Sequence, residues 1–453
     1  MTATARLADF VVNSSLRDCP DAVIAQTRRA TLDTLGVMLA GAAEPVARAV
    51  RAVARADGSV PLCTVFGTSL RASTAWAALA NGAAGHAHDF DDTNFALMGH
   101  PSVPLLAAAL ACAEAETADG AAVTLAYVLG FEIDATLGLA LNPGHYTRGW
   151  HSTSSIGTLG CAAAAARLLG LDVEQTRHAF GIAASLASGL KENFGSMAKP
   201  FHAGHAAQNG VRAAQLAREG LTASDSALEG RQGYLAAFSG ATLDPAALDG
   251  LGRRWELTTS GIAVKPYPSC ALTHSAIDAL VELRARHRID AATVAAVEIG
   301  VNAVVPDVLR HVRPANGLER KFSMQYCAAA ALARGSLGLA DFEDGTPDET
   351  TRRLMERVHM VVDPTLPREL EQQAWTRVTV RLADGTAFEE KPRGASGHPG
   401  APLTDAELRT KFLACAAPVI GADAAEGVAE QIAHLEDIPD IRALTSRLAG
   451  ERD

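Results

Sequence analysis

The chain has 453 residues, 48% of them hydrophobic but only 5% aromatic, and a formal net charge of −11. That length predicts two or three domains with ample core, and the Ala- and Leu-rich apolar content favours close-packed helices over an aromatic-rich sandwich. The acidic balance, with no run of Lys or Arg, excludes a nucleic-acid footprint but not an anionic substrate, which responds to local cations.

Residues 5–41 read as two helices, the second opening near Asp21 with a stripe through Ile24, Ala25, Leu32 and Leu35. Gly36 and Gly41 mark close packing and a stop. Residues 45–57 read as helix, and Val60 to Phe66 as a short extended piece. A helix from Ala75 to Gly85 then runs into His86-Ala87-His88-Asp89-Phe90-Asp91-Asp92-Thr93, with His100-Pro101-Ser102 close behind. Two imidazoles and three carboxylates in eight residues crowd like charges, which shifts pKa values and marks an acid/base or metal site. The plain alternative is a solvated acidic loop that caps the next helix.

Pro101 to Glu116 is a helix with proline in its first turn, and Ala121 to Leu139 another, carrying Glu132 and Asp134 in an apolar run. His151-Ser152-Thr153-Ser154-Ser155 precedes Gly157, Gly160 and a poly-Ala helix. Hydroxyls there are helix caps, and free N–H groups at such a start attract carboxylate or phosphate beside His151. Val173 to Leu190 is helical. Gly195 to His205 then places Lys199 among small and apolar residues, where a lysine clamps a carboxylate or is simply a surface residue at a turn. His202 and His205 share a helical face, yet no HExxH or Cys/His framework makes them a zinc pair.

The texture changes near residue 258. Gly261 to Tyr267 sets Lys265 in an extended segment, and Cys270 and His274 lead into a helix to His287. Val294 to Asn302 and Val358 to Asp363 read as strands, and Arg377 to Lys391 as a hairpin turning at Asp384-Gly385. Between them, Lys321 to Tyr326 opens an Ala-rich helix. Arg393 to Pro402 is a Gly/Pro linker, and Thr404 to Leu448 returns to helix. The predicted division is 1–257 helical, 258–395 α+β, and 396–453 helices that complete the first domain.

The seven cysteines are scattered without a CxxC, several in apolar helical runs, which fits reduced thiols in a cytoplasmic protein. The N-terminus lacks a basic segment followed by an apolar core, and no apolar run reads as long enough to span a bilayer. No GxGxxG, GxxxxGK[ST] or GxSxG stands in the context its chemistry needs. What remains is a cofactor-free acid/base set in five clusters: Asp89/Thr93/His100, His151, Lys199, Lys265 with His274, and Tyr326. Such a set suits removal of a weakly acidic proton next to a carboxylate, where preorganised cations and donors stabilise the developing charge.

These motifs resemble the MmgE/PrpD family, which includes 2-methylcitrate dehydratase, cis-aconitate decarboxylase and iminodisuccinate epimerase. The resemblance runs nearly end to end. It rests on LDTLG (Leu32 to Gly36), NG…GHAHDFDDT (Asn81 to Thr93), GHPS (Gly99 to Ser102), HSTSSIGTLG (His151 to Gly160), GSMAKPFHAGHAA (Gly195 to Ala207), KPYPSCALTH (Lys265 to His274) and KFSMQY (Lys321 to Tyr326). It implies a mainly α fold: a large all-helical domain, a smaller α+β lid, a homodimer, and an active site between the domains. It also implies a cofactor-independent lyase on a small di- or tricarboxylate. By resemblance, Asp89, Thr93, His100, His151, Lys199, Lys265 and Tyr326 align with active-site positions. His100 and His151 would transfer protons, Lys199 and Lys265 bind carboxylates, Asp89 orient a histidine, and Tyr326 protonate or position. Thr93, Cys270 and His274 join the substrate-binding set.

Two departures separate the chain from the mammalian-type decarboxylase: Cys270 stands where that enzyme has histidine, and the segment Asn94 to Gly99 is one residue longer. The cysteine form is nearer the bacterial branch that includes the epimerase, so an isomerase using the same proton abstraction is the first alternative. A metal-dependent hydrolase with His86, His88, Asp89 and Asp92 as ligands is the second.

Overall fold

The computed structural model describes residues 2–241, 248–367 and 374–450. Residues 1 and 242–247 of the first predicted segment, 368–373 of the second and 451–453 of the third lie outside them. The fold is mainly α, with a large helical domain and a small C-terminal α+β domain.

Long helices make the first body: Asp21–Ala40, Thr74–Gly85, Ser102–Glu116, Gly120–Leu141, Gly157–Leu168, Val173–Leu186 and Ala198–Arg218 among them. Their apolar sides are Ala-rich, so the backbones approach closely. A Cβ added at Gly82 would sit 2.6 Å from Gly204 Cα, so Thr74–Gly85 and Ala198–Arg218 cross at a glycine pair. That crossing sets the end of the first helix, where His86 follows, beside the start of the second, where Lys199 stands. The Asp405–Ile420 helix packs back on Asp21–Ala40, and a Cβ at Gly36 would meet Phe412 at 3.1 Å. One apolar cluster joins residues from Leu7 to Val264 with residues from Leu408 to Leu448.

A second cluster is built on a four-stranded sheet. Its order is Val358–Val362, Val294–Val301, Thr376–Leu382, Ala387–Arg393; the first pair is parallel and the others antiparallel. Val294, Val297, Ile299 and Val301 point inward, the period-2 face of a half-buried strand. The helices His274–His287 and Met324–Arg334 pack on that side.

Three local expectations change. Of residues 60–66, only Cys63–Thr64 forms a strand, paired with Arg71–Ala72. The helix from Val173 stops at Leu186, and Gly189 at φ 118° turns the chain. Gly120–Leu141 is long and apolar enough to cross a membrane by length and composition, contrary to the sequence reading, but 89% of its most apolar window is buried inside the protein. It is the central helix of a bundle, apolar on all sides because helices surround it.

Candidate active site

The His/Asp stretch forms a tight turn after the Thr74–Gly85 helix. Asp89 adopts φ 52°, the left-handed region that a short polar side chain tolerates. This conformation turns both its carboxylate and its carbonyl toward lysines. Lys199 Nζ donates to Asp89 Oδ1 at 2.7 Å, while Lys265 Nζ donates to Asp89 O at 2.8 Å and lies 3.2 Å from Oδ1. All three side chains are at most 5% exposed. Burial pushes the Asp89 carboxyl up, but the two ammoniums outweigh it and hold the group well below the usual carboxylate range.

Asp91 faces the other way and binds two histidines. His86 Nδ1 lies 2.8 Å from Asp91 Oδ2, and His100 Nδ1 3.2 Å from the same oxygen. Burial opposes ionisation of Asp91, but the two imidazoles keep it a carboxylate. His86 Nε2 accepts from Lys199 Nζ at 2.7 Å, so the network assigns its proton to Nδ1. Burial lowers the His100 pKa, with Asp91 opposing, and drives that of His151 well below the ordinary value. Both rings therefore rest neutral. His151 Nδ1 lies 3.1 Å from His202 Nδ1, a bond in which one ring donates and the other accepts.

Of these groups, Asp89, His100, His151, Lys199 and Lys265 line one cavity of about 400 Å³ between the helical and α+β domains, while His86, Asp91 and His202 do not line it; its volume is within the usual size of small-molecule sites. Asp89, Thr93, His100, His151, Lys199, Lys265 and Cys270, seven of the residues singled out from sequence, meet on its wall. Thr93 is held by its backbone to Ala263 (N–H to O 2.9 Å, return bond 2.7 Å), two residues before Lys265. Its Oγ1 is buried without a hydrogen-bond partner among the described residues. Phe194 and Phe322 cover the Lys199 ammonium at 5.4 and 5.3 Å. The Cys270 thiol is pushed up to about 11 by burial and stays protonated at neutral pH.

Two expected site residues stand elsewhere. The structure does not bring Tyr326 to the cavity: its hydroxyl donates to Asp341 O, its ring is edge-on to Phe342, and burial raises its pKa. His274 lines a small neighbouring hollow instead, with Nε2 3.0 Å from Ser269 O and its pKa down near 3 through burial. Nor do the hydroxyls after His151 leave an anion site. Ser154 and Ser155 N–H donate to His151 O, Thr153 Oγ1 accepts from His100 N at 2.9 Å, and Ser155 Oγ meets His145 Nε2 at 3.0 Å. They brace the histidines rather than open to the cavity.

The ligand set His86, His88, Asp89 and Asp92 is not assembled. His88 Nε2 reaches Ala40 O at 3.3 Å, and Asp92 binds Ser102, which meets Tyr127 Oη at 2.7 Å. Burial raises Asp92 to about 8, so it rests protonated. A different quartet, His86, Asp89, Asp91 and His100, is close enough to hold a cation. The Lys199 ammonium, however, already binds His86 Nε2 and Asp89 Oδ1, and Lys265 adds a second positive charge. These donors fit an ammonium, not a further cation.

Sequence reasoning missed three contributors. His86 and Asp91 were visible as residue types but not as the link between Lys199 and His100. Lys191, whose ammonium sits 3.6 Å over the Tyr146 ring and donates to Tyr146 O at 3.1 Å, also lines the cavity and carried no sequence signal.

The model of the MmgE/PrpD N-terminal domain matches residues 5–245, and that of the MmgE/PrpD C-terminal domain matches residues 267–437. Cis-aconitate decarboxylase of Mus musculus is 30% identical over 99% of this chain and 94% of its own length. The Homo sapiens protein of that name is 30% identical over 95% and 91%, and that of Aspergillus terreus 25% identical over 98% and 95%.

Proposed function

The chain belongs to the MmgE/PrpD family, and from that premise we propose that it is a cofactor-independent acid/base lyase acting on a small tricarboxylate or dicarboxylate. The observation that carries this reading is the pairing of a carboxylate-backed neutral histidine, His100, with the Lys199–Asp89–Lys265 cluster in one cavity. The relatives' name, cis-aconitate decarboxylase, supports the tricarboxylate.

In this reading Lys199 and Lys265 bind substrate carboxylates, and Thr93 Oγ1 donates to one of them. Asp89 spaces the two ammoniums and fixes their direction. His100 moves the proton: neutral at rest, it accepts one at Nε2, and Asp91 behind Nδ1 stabilises the imidazolium. His151, with His202 behind it, serves the other side of the cavity. In dehydration, the base takes the proton next to the carboxylate and the β-hydroxyl leaves as water with a proton from the acid. In decarboxylation, the C–C bond breaks, carbon dioxide leaves, and the carbon skeleton takes one proton.

A second reading rests on Cys270, small and protonated on the cavity wall. It leaves room for a substrate whose α-carbon is deprotonated and reprotonated without loss of a group, an epimerisation. We also propose a cytoplasmic homodimer, on the family resemblance, testable by light scattering.

The discriminating experiment is proton NMR of EDTA-treated protein in deuterated buffer with citrate, 2-methylcitrate, cis-aconitate and iminodisuccinate. A new alkene or loss of carbon dioxide supports the lyase. Deuterium exchange without net conversion selects the epimerase. Turnover that EDTA abolishes and a divalent metal restores would overturn both.

A further inference from the structure

Three successive carbonyls of the active-site turn each end on a lysine ammonium. Lys321 Nζ donates to His88 O, Lys265 Nζ to Asp89 O, and Lys411 Nζ to Phe90 O, each at 2.8 Å. The three lysines come from distant parts of the chain. Lys265 belongs to the site already described; Lys321 and Lys411 do not line the cavity. We propose that Lys321 and Lys411 are positioning residues for Asp89, holding its turn by the carbonyl on either side. This inference rests on the reading of Asp89 given above.

The physical need is local. Asp89 sits at φ 52°, a left-handed conformation that a non-glycine residue keeps only when its surroundings hold it there. A buried ammonium is costly unless it is paired or fully hydrogen-bonded. Lys321, 3% exposed, has no carboxylate in direct contact among the described residues; its bonds go to His88 O and, at 3.2 Å, to Pro268 O, and its charge lies 4.8 Å from the Phe342 ring. It thus ties the turn to the segment that carries Lys265 and Cys270. Burial brings its pKa down to about 8, with Asp89 and Glu44 opposing.

Lys411 comes from the C-terminal Asp405–Ile420 helix. Its ammonium is 2.6 Å from Asp33 Oδ1, a fully buried carboxylate, and 3.9 Å from the Phe90 ring. Asp33 is the acidic residue of the LDTLG motif, to which the active-site chemistry otherwise gives no task. Asp33 directs Lys411, and Lys411 holds Phe90 O. The Lys of KFSMQY acquires the matching task on the other side. Displacing Asp89 by an ångström would misplace both carboxylate-binding ammoniums, an error worth about a hundredfold in rate.

The test compares Lys321→Met, Lys411→Met, the two Lys→Arg variants and Asp89→Asn with wild type, measuring kcat, KM and melting temperature on the acid that wild type converts. Each methionine variant is expected to lose at least about tenfold in kcat with KM changed less than about threefold, and each arginine variant to recover part of the loss. Methionine variants within twofold of wild type, or methionine and arginine variants of equal turnover, would overturn the inference, since side-chain volume would then suffice. If Asp89→Asn is inactive while both methionine variants are not, only the positioning role fails. If Asp89→Asn keeps wild-type turnover, or wild type converts none of the acids, the functional reading fails and takes this inference with it.

Discussion

Replacing Asp89 by asparagine keeps the shape of the side chain and removes one charge from a buried cluster. The wild-type cluster carries one carboxylate and two ammoniums, net +1; the variant carries +2. At an effective dielectric of about 20, the contacts at 2.7 and 3.2 Å are worth about 6 and about 5 kcal/mol of gross attraction. Most of this offsets desolvation, and breaking a buried pair from one side costs about 3–5 kcal/mol. At about 2 °C per kcal/mol for a protein of this size, the melting temperature should fall by about 6–10 °C. Turnover should fall by about a hundredfold or more, because the ammoniums lose their fixed direction. A second substitution, Lys199→Met, returns the cluster to +1. The double variant should regain at least half of the lost stability and none of the activity. Thermal melts and steady-state kinetics at pH 7 measure both. A variant Asp89→Asn that melts and turns over like wild type would refute the electrostatic account of the site.

His100→Gln should lower kcat by about 10²–10⁴-fold with little change in melting temperature, read by steady-state kinetics, since it removes the proton carrier. Asp92→Asn should be nearly silent below about pH 4, within about 1 kcal/mol by denaturant titration, because the carboxyl is protonated there in both the folded and the unfolded chain. Its folded pKa of about 8 lies above the unfolded carboxylate value, so the wild type loses stability as pH rises from about 4 to about 8, and the variant should already be the more stable protein at pH 7. Lys191→Met should raise KM for a tricarboxylate about tenfold with kcat preserved, about 1.4 kcal/mol of ground-state binding, since Lys191 lines the cavity with its ammonium held at Tyr146. His86, His88, His145 and His202 are held near 4 mainly by burial. Their folded values lie below the unfolded value near 6.5, so the unfolded chain binds more protons; the histidines' contribution to the melting temperature should be flat above about pH 6.5 and fall steeply toward pH 4.

Much of this site was legible because its residues are chemically unusual where they stand. A lysine in Ala-Lys-Pro at the start of a small-residue helix, and two imidazoles and three carboxylates in eight residues, signal a site before any coordinate is known. The helix starts expected near Asp21, at Pro101 and at Thr404 lie within one residue of those found, Asp21, Ser102 and Asp405. Which carboxylate does what was not legible. Asp89, Asp91 and Asp92 look alike in sequence, yet one is held ionised by lysines, one by histidines, and one is protonated beside Ser102. That division depends on partners more than a hundred residues away in the first case, and on which way one left-handed turn aims each side chain. Tyr326 shows the reverse: it lies in a strong motif, but its hydroxyl is engaged by Asp341 O within the α+β domain. Lys191 and Lys411 stand in unremarkable contexts and Lys321 opens the KFSMQY motif without a sign of its task, so only the packing of separate elements shows where their ammoniums end.

The proposed reaction turns on His100, beside the Lys199–Asp89–Lys265 cluster, moving a proton to or from carbon next to a carboxylate. The most direct measurement is mass spectrometry and proton NMR of product formed in deuterium oxide by wild type and by His100→Gln, in metal-free buffer. A decarboxylated or epimerised product should carry one solvent deuterium per turnover on a single face of the carbon, a dehydration should place that label in the recovered substrate by the reverse reaction, and the variant should lose both turnover and facial selectivity. A decarboxylated or epimerised product without solvent deuterium, a dehydration with no label in recovered substrate, or a variant that labels the same face at the wild-type rate would contradict it.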